Sequence, residues 1–238
     1  MTELQLTNLK GVQAVVRASA NPNLSASTDD DRVMAALRDG SMTSSEWLTA
    51  MTLCGHGYIA HGGAGSSPIT FGATYDADAP DLYVWVPNGC TIIPTSIQVS
   101  YEAIGTEEVM EVIGLVSSTG DSTITGTEAI IWNLRLDQPY SSSCKCEVAV
   151  DNAGITDPNA GDYFEFWRVQ RNLTDTTAST ENDRPTHRWE WNVGNCLTPP
   201  VIVGRATTGS CLAVYAASQA GTGFITATWV EVPSKFIV

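Results

Sequence analysis

The chain has 238 residues, 43% apolar and 16% charged, with 20 Gly and 11 Pro, a composition that excludes disordered and collagen-like chains and supplies enough apolar surface for an extended core. Lys and Arg number 12 against 26 Asp and Glu, a net charge of −14; phosphate backbones repel a protein of this sign at long range, which argues against a general nucleic-acid binder. No apolar run reaches the ~18 residues of a membrane span, and the start, MTELQLTNLKGVQAVV, lacks the basic residues and unbroken apolar stretch of a signal peptide, so synthesis in the cytoplasm is the expectation.

Residues 1–66 read as an N-terminal arm, with many small residues and little strand-like alternation. Within it, SASTDDDRVMAALRDGS places Ser or Thr and three aspartates before a short apolar run and Gly40 after it, the pattern of a short helix with acidic residues at its positive end. A second helix is expected in MTSSEWLTAMTLCG, capped by Ser44 or Ser45, with Trp47, Leu48 and Met51 on one face. GHGYIAHGGAGSSP, from Gly55 to Pro68, is glycine-rich and reads as a hinge into the main domain, residues 67–238.

From Ile69 onward, short runs rich in Val, Ile, Thr and aromatics alternate with Gly, Pro, Asn and Asp. Eleven strands are predicted: ITFGATY, LYVWVP, SIQVSYEAI, EEVMEVIGLVS, AIIWNLRL, CEVAV, DYFEFWRVQR, HRWEWNV, VIVG, CLAVYAA and GFITATWVEV. Strands at this spacing with no long helical pattern between them argue an all-β antiparallel sandwich or barrel. In DYFEFWRVQR, strict alternation puts Tyr163, Glu165, Trp167 and Val169 on one face and Phe164, Phe166 and Arg168 on the other. Both faces are partly apolar, so one packs the core and the other meets either an adjacent subunit or a long loop of the same chain.

Catalytic chemistry is poorly represented. Only His56, His61 and His187 could serve a histidine mechanism, no Gly-x-Ser-x-Gly elbow occurs, and the glycine stretch lacks the Gly-Lys-Ser/Thr ending of a phosphate loop. Carboxylates such as Glu107 with Glu108, or Glu190 across from Glu165, are expected by chance in so acidic a chain. Cys54-Gly55-His56 and Cys144-Lys145-Cys146 could together offer sulfurs and nitrogen to zinc, but without the usual two-residue gap. Cys196 and Cys211 are the pair that a disulfide would join if one formed in an oxidising medium. Hard oxygen donors crowd DNAGITDPNAGD, where Asp157, Asn159 and Asp162 could hold a calcium ion, although Asp and Asn are also ordinary turn formers. The polar excursion from Asn172 to Thr186 is long enough to suit an interface. Six tryptophans fall on strand candidates, where core packing is their commoner use.

The irregular arm followed by about 170 residues of strands, ending in GTGFITATWVEVPS, resembles the single jelly-roll virion proteins of bacteriophages and viruses. The resemblance implies an antiparallel jelly-roll sandwich with no catalytic residues, whose partners are copies of itself and other virion proteins, and a location in the virion. It departs from genome-packaging coat proteins, because residues 1–50 set Lys10, Arg17, Arg32 and Arg38 against Glu3, Asp29, Asp30, Asp31, Asp39 and Glu46, an arm that ties neighbours together rather than condensing nucleic acid. On this reading the chain is not an enzyme and needs no cofactor, and its interface residues are Trp47 and Leu48 on the arm with Arg168, Arg171, Arg184 and Arg188 on the strands. The alternative is a glycan-binding β-sandwich of a spike or fibre, using aromatics and the calcium set.

Overall fold

The computed structural model describes residues 4–5, 15–16, 47–72, 74–104, 109–137, 140–151, 163–172, 188–196, 198–217 and 221–236. The chain divides into two compact units, residues 1–50 and 51–238. In the first, β1 (Leu4–Gln5) pairs antiparallel with β2 (Val15–Val16). The predicted helix in SASTDDDRVMAALRDGS lies outside the described residues, whereas the second one forms as α1 (Trp47–Leu53).

The second unit is all-β, two antiparallel sheets. Its strands are β3 (Gly57–Gly62), β4 (Ile69–Phe71), β5 (Leu82–Val86), β6 (Cys90–Ile104), β7 (Val109–Ser117), β8 (Thr125–Glu128), β9 (Ile131–Asn133), β10 (Lys145–Asp151), β11 (Tyr163–Asn172), β12 (Arg188–Asn192), β13 (Ile202–Val203), β14 (Ser210–Ala217) and β15 (Gly221–Pro233). One sheet has the order β11-β7-β14-β5-β10-β8; the other runs β12-β6-β15-β3-β9, with β13 added to β6 and β4 to β15. Alternate residues of both sheets face inward into a shared core: Leu82, Val84 and Val86; Leu212, Val214 and Ala216; Ile225, Ala227 and Trp229.

The glycine-rich hinge expected over residues 55–68 is corrected here, since Gly57–Gly62 is a strand between β15 and β9. Its glycines leave room for neighbours: a Cβ on Gly62 would stand 2.8 Å from Ile225. β6 is longer than its predicted run because Pro94 does not end it. Proline lacks a ladder donor, yet β13 pairs with Thr91 and Ile92 while β12 begins at Ser96, so Pro94 falls in the gap between them. A register shift opposite Thr228 and Trp229 bulges the same place.

Alternation in β11 also breaks. A bulge between Glu165 and Trp167 makes Phe166 the extra residue, so Phe166, Trp167 and Val169 all pack on the inner core and Glu165 joins Arg168 on the outer face. Gly114 opposite allows this, since a Cβ there would meet Phe166 at 3.0 Å. Phe166 closes that side of the sandwich edge-on to Trp191, with ring centroids 5.1 Å apart.

The outer face of the six-stranded sheet carries a second buried cluster, Tyr83, Ile113, Leu115, Cys211, Ala213 and Tyr215 among its members. The chain's own loops cover it: Tyr83 Oη accepts from Asp121 N at 2.7 Å, Tyr215 Oη donates to Ala77 O at 2.9 Å, and Tyr75 leans on Tyr215. All eight residues of β14 are buried as a result.

Asp81 ties this covering to the sheets. It is 4% exposed; Oδ1 accepts from Gly72 N at 2.9 Å and Oδ2 from Ala216 N at 2.7 Å, while its backbone bonds Val214 and Ala149. Burial pushes this carboxyl up to about 6, with the two amide donors offsetting part of the effect. A carboxyl held above its ordinary value binds its proton more tightly in the folded state, so its contribution to stability grows as pH falls from neutral through about 6 and levels off below the aspartate range near 3.8. Between about pH 7.5 and about pH 5, the urea stability of the wild type is expected to rise by about 1 kcal/mol relative to that of Asp81→Asn; identical pH profiles for the two proteins would contradict this account.

Candidate functional site

The two edges of the sandwich carry the surface features of greatest interest. At one edge the chain crosses from β8 in the six-stranded sheet to β9 in the other, anchored by Ala129 N donating to Cys146 O at 3.0 Å. The turn after β9 is held by Asn133, whose Oδ1 accepts from Arg135 N at 2.8 Å and whose Nδ2 donates to Gly55 O at 2.8 Å. Leu134 N donates to Gly57 O at 2.9 Å, and Arg135 donates to Leu53 O at the C-terminal end of α1 at 2.6 Å, where a cation suits the exposed carbonyls. Arg135 also pairs with Asp137 at 2.7 Å, which raises the guanidinium and lowers the carboxyl.

This polar frame holds apolar side chains outward. Leu53, Ile130, Trp132, Leu134, Leu136 and Tyr140 are all exposed, Leu136 by 87% and Trp132 by 58%. Scattered single hydrophobics are ordinary on a surface, but six gathered along one edge form a patch of the kind that marks association.

The opposite edge carries a smaller apolar area. Phe164 on β11, Val201 just before β13 and Val203 on β13 are exposed around a hollow of about 360 Å³ that Tyr163 and Arg205 also line. β11 and β8 end the same sheet at opposite sides, so the two apolar areas lie on opposite edges of one sandwich.

Arg168 stands on the outer face of β11. Its guanidinium pairs with Glu111 of β7 and with Glu165, donating from Nε to Glu165 Oε2 at 2.8 Å, and Gln170 Nε2 donates to the same Glu111 at 2.6 Å. The hydrogen bond from Arg168 holds the Glu165 carboxyl below its usual range, and Glu111 itself is buried. Arg188 is exposed and meets Glu190 at 3.2 Å. Arg171 lies opposite Met110 in the β11 ladder, Trp47 opens α1, and Leu48 beside it is half-buried. Arg184 and the calcium set Asp157, Asn159 and Asp162 lie outside the described residues.

The zinc combination weighed from Cys54, His56, Cys144 and Cys146 is corrected. Among the described residues these four form no ligand cluster: Cys54 is exposed and Cys146 packs in the core, where burial raises its thiol above the ordinary range. Cys196 and Cys211 are free thiols that contact Thr198 O and Thr119 O, respectively, rather than each other.

A cleft of about 650 Å³ opens over the second buried cluster, between residues 119–122 and 205–209. Trp85 and Tyr83 lie at its floor, Trp85 donating from Nε1 to Thr208 O at 3.1 Å, and Asn88, Asp121 and Arg205 are at its rim. Neither the edge patch nor this cleft was legible in the sequence. The stretch IIWNLRLDQPY reads as a strand, and nothing local says that its apolar side chains remain outside.

Comparison of the chain with family models, with curated proteins and with solved structures finds no match.

Arg168→Ala leaves Glu111 without its guanidinium. Because Arg168 is 44% exposed, the expected loss is about 1–2 kcal/mol rather than the larger cost of breaking a fully buried pair. The effect is present above the glutamate range and disappears as pH falls through the lowered Glu165 value. Urea unfolding of wild type and variant at neutral and acidic pH measures it, and equal midpoints at neutral pH would refute it.

Proposed function

We propose that the chain is a self-assembling structural subunit of a virion shell, a jelly roll whose sandwiches associate edge to edge and which works by association rather than turnover. Strand order supports the jelly-roll reading. Taking β3, β5, β6, β7, β11, β12, β14 and β15 as first to eighth, one sheet has the order first-eighth-third-sixth and the other second-seventh-fourth-fifth, the arrangement that two nested Greek keys produce. β8, β9 and β10 are then an insertion between the fourth and fifth strands. Because this fold also serves lectins, the functional reading rests on the surface rather than on topology.

The observation that carries it is the apolar edge of Leu53, Ile130, Trp132, Leu134, Leu136 and Tyr140, with a second apolar area at Phe164, Val201 and Val203 on the opposite edge. The occupant of each is a second copy of the chain. Contacts between two different patches are heterologous, and they build rings where the repeated rotation closes and open arrays where it does not. Residues 1–50 act on this reading as the arm that ties neighbouring subunits.

A second reading, a glycan-binding module, is favoured by the cleft over Trp85, which joins an aromatic floor to a polar rim.

Light scattering behind a sizing column tests the first reading on the full-length protein. Trimers, pentamers or larger assemblies are expected, and Trp132→Ala weakens their association by roughly 30-fold or more, as loss of a central interface aromatic does. A monomer at high concentration would overturn the shell reading and, with retention on immobilised polysaccharide, favour the glycan module.

A further inference from the structure

At one end of the sandwich, between the sheets, two thiols and a carboxylate meet. Cys90 begins β6; Glu231 lies on β15, whose register with β6 sets Pro233 opposite Cys90 and Glu231 opposite Ile92, so all four share the inward face. Cys144 arrives from the other sheet, immediately before β10. The Sγ atoms of Cys90 and Cys144 are 3.8 Å apart, and these two sulfurs and a Glu231 oxygen all lie within 4.8 Å of one another. All three residues are buried.

Two thiols packed against each other would account for the sulfur separation, but not for the carboxylate. Glu231 is 8% exposed, and its position is built: Ser142 donates from Oγ to Oε2 at 2.6 Å and Ser143 from its backbone N to Oε1 at 2.8 Å. Cys144 is fixed by the same loop, its N–H donating to Ser142 Oγ at 3.0 Å, and the Cys90 backbone by bonds to Pro87 and Gly204. Two sulfurs and a carboxylate whose oxygens are already oriented by donors present a mixed sulfur and oxygen ligand set at one point.

We propose that Cys90, Cys144 and Glu231 bind a zinc ion that staples the two sheets together. With Zn–S bonds of about 2.3 Å, two thiolates of a tetrahedral site stand about 3.8 Å apart, the separation found here. Sulfur donors select zinc over calcium or magnesium. Ser142 and Ser143 supply the outer-shell hydrogen bonds that orient a ligating carboxylate. Cys90 and Glu231 also line a cavity of about 440 Å³ with His56, Tyr58 and Tyr140, from which a water would supply the fourth ligand. Binding converts both thiols to thiolates and releases their two protons to solvent; no electron is transferred.

The test uses full-length protein, reduced and stripped with a chelator, then titrated with Co²⁺ and with Zn²⁺. One Co²⁺ per chain is expected, with sulfur-to-cobalt charge-transfer absorption that Zn²⁺ abolishes, release of about two protons per ion, and a Tm that rises with added Zn²⁺. Cys90→Ser and Cys144→Ser each reduce affinity by more than the roughly 10- to 100-fold typical of losing an outer-shell partner, Glu231→Gln reduces it by at least about tenfold, and Cys196→Ser, a free thiol bonded to Thr198 O instead, leaves it unchanged. Circular dichroism of each variant without metal identifies any that fail to fold, and Glu231→Gln, which keeps the side-chain shape, preserves the test if a cysteine variant does. The proposal is overturned if the reduced wild type binds no Co²⁺ with Cys90 and Cys144 free to alkylation. It is equally overturned if the two cysteines are joined as a disulfide in the isolated protein and bind no metal once reduced, or if Cys196→Ser abolishes binding.

Discussion

The pairing of β6 with β15 is the constraint on which the rest of the second unit depends. It runs from Gly221 opposite Ile104 to Pro233 opposite Cys90, and every other strand of that sheet except β9 attaches directly to one of the two. A ladder of this length is rigid only if its two bulges are accommodated. At one, Pro94 sits where neither β12 nor β13 needs its donor; at the other, Gly223 comes so close to Ser100 that a Cβ would lie 2.0 Å from the carbonyl oxygen. The ladder carries Cys90 and Glu231 to the same end of the interior, and so creates the site that Cys144 completes from the facing sheet.

The sheet opposite is buried on both sides, by the sandwich core within and by loops outside. That removes its broad face from consideration as an association surface and leaves the edges. β8 and β9 are short, and the crossing between them exposes Ile130 and Trp132. One continuous stretch therefore serves two purposes. Ile130, Trp132, Leu134, Leu136 and Tyr140 present the apolar edge, and residues 142–144, just beyond, hold the Glu231 carboxylate and supply a sulfur. An ion at that position would stiffen the base of the segment that displays the edge, so metal occupancy and edge geometry are mechanically adjacent.

Much of the strand layout was legible because β-branched and aromatic residues mark half-buried ladders. β5, β7, β14 and β15 fall inside their predicted runs or extend them by a few residues. β3 and β8 were missed for opposite reasons. GYIAHG contains glycines that fit because neighbours crowd them, and TGTE is exposed at all four positions, so neither has the alternation of a half-buried strand. The two-faced reading of β11 failed at a single residue, because a bulge at Phe166 shifts everything after it by one side.

By itself the sequence determined the class: short alternating apolar runs without helical periodicity commit the chain to antiparallel sheets, and 26 acidic against 12 basic residues set the sign of its field. Tertiary structure alone decided which apolar side chains remain outside and which polar ones meet inside. Trp132 and Trp229 both sit in strand-like sequence, yet one is exposed and the other fully buried, because β9 ends a sheet and β15 lies in the middle of one. Cys90, Cys144 and Glu231 are far apart in the chain and belong to no local motif. Their meeting follows from strand register and sheet stacking, non-local properties that no window of the sequence contains.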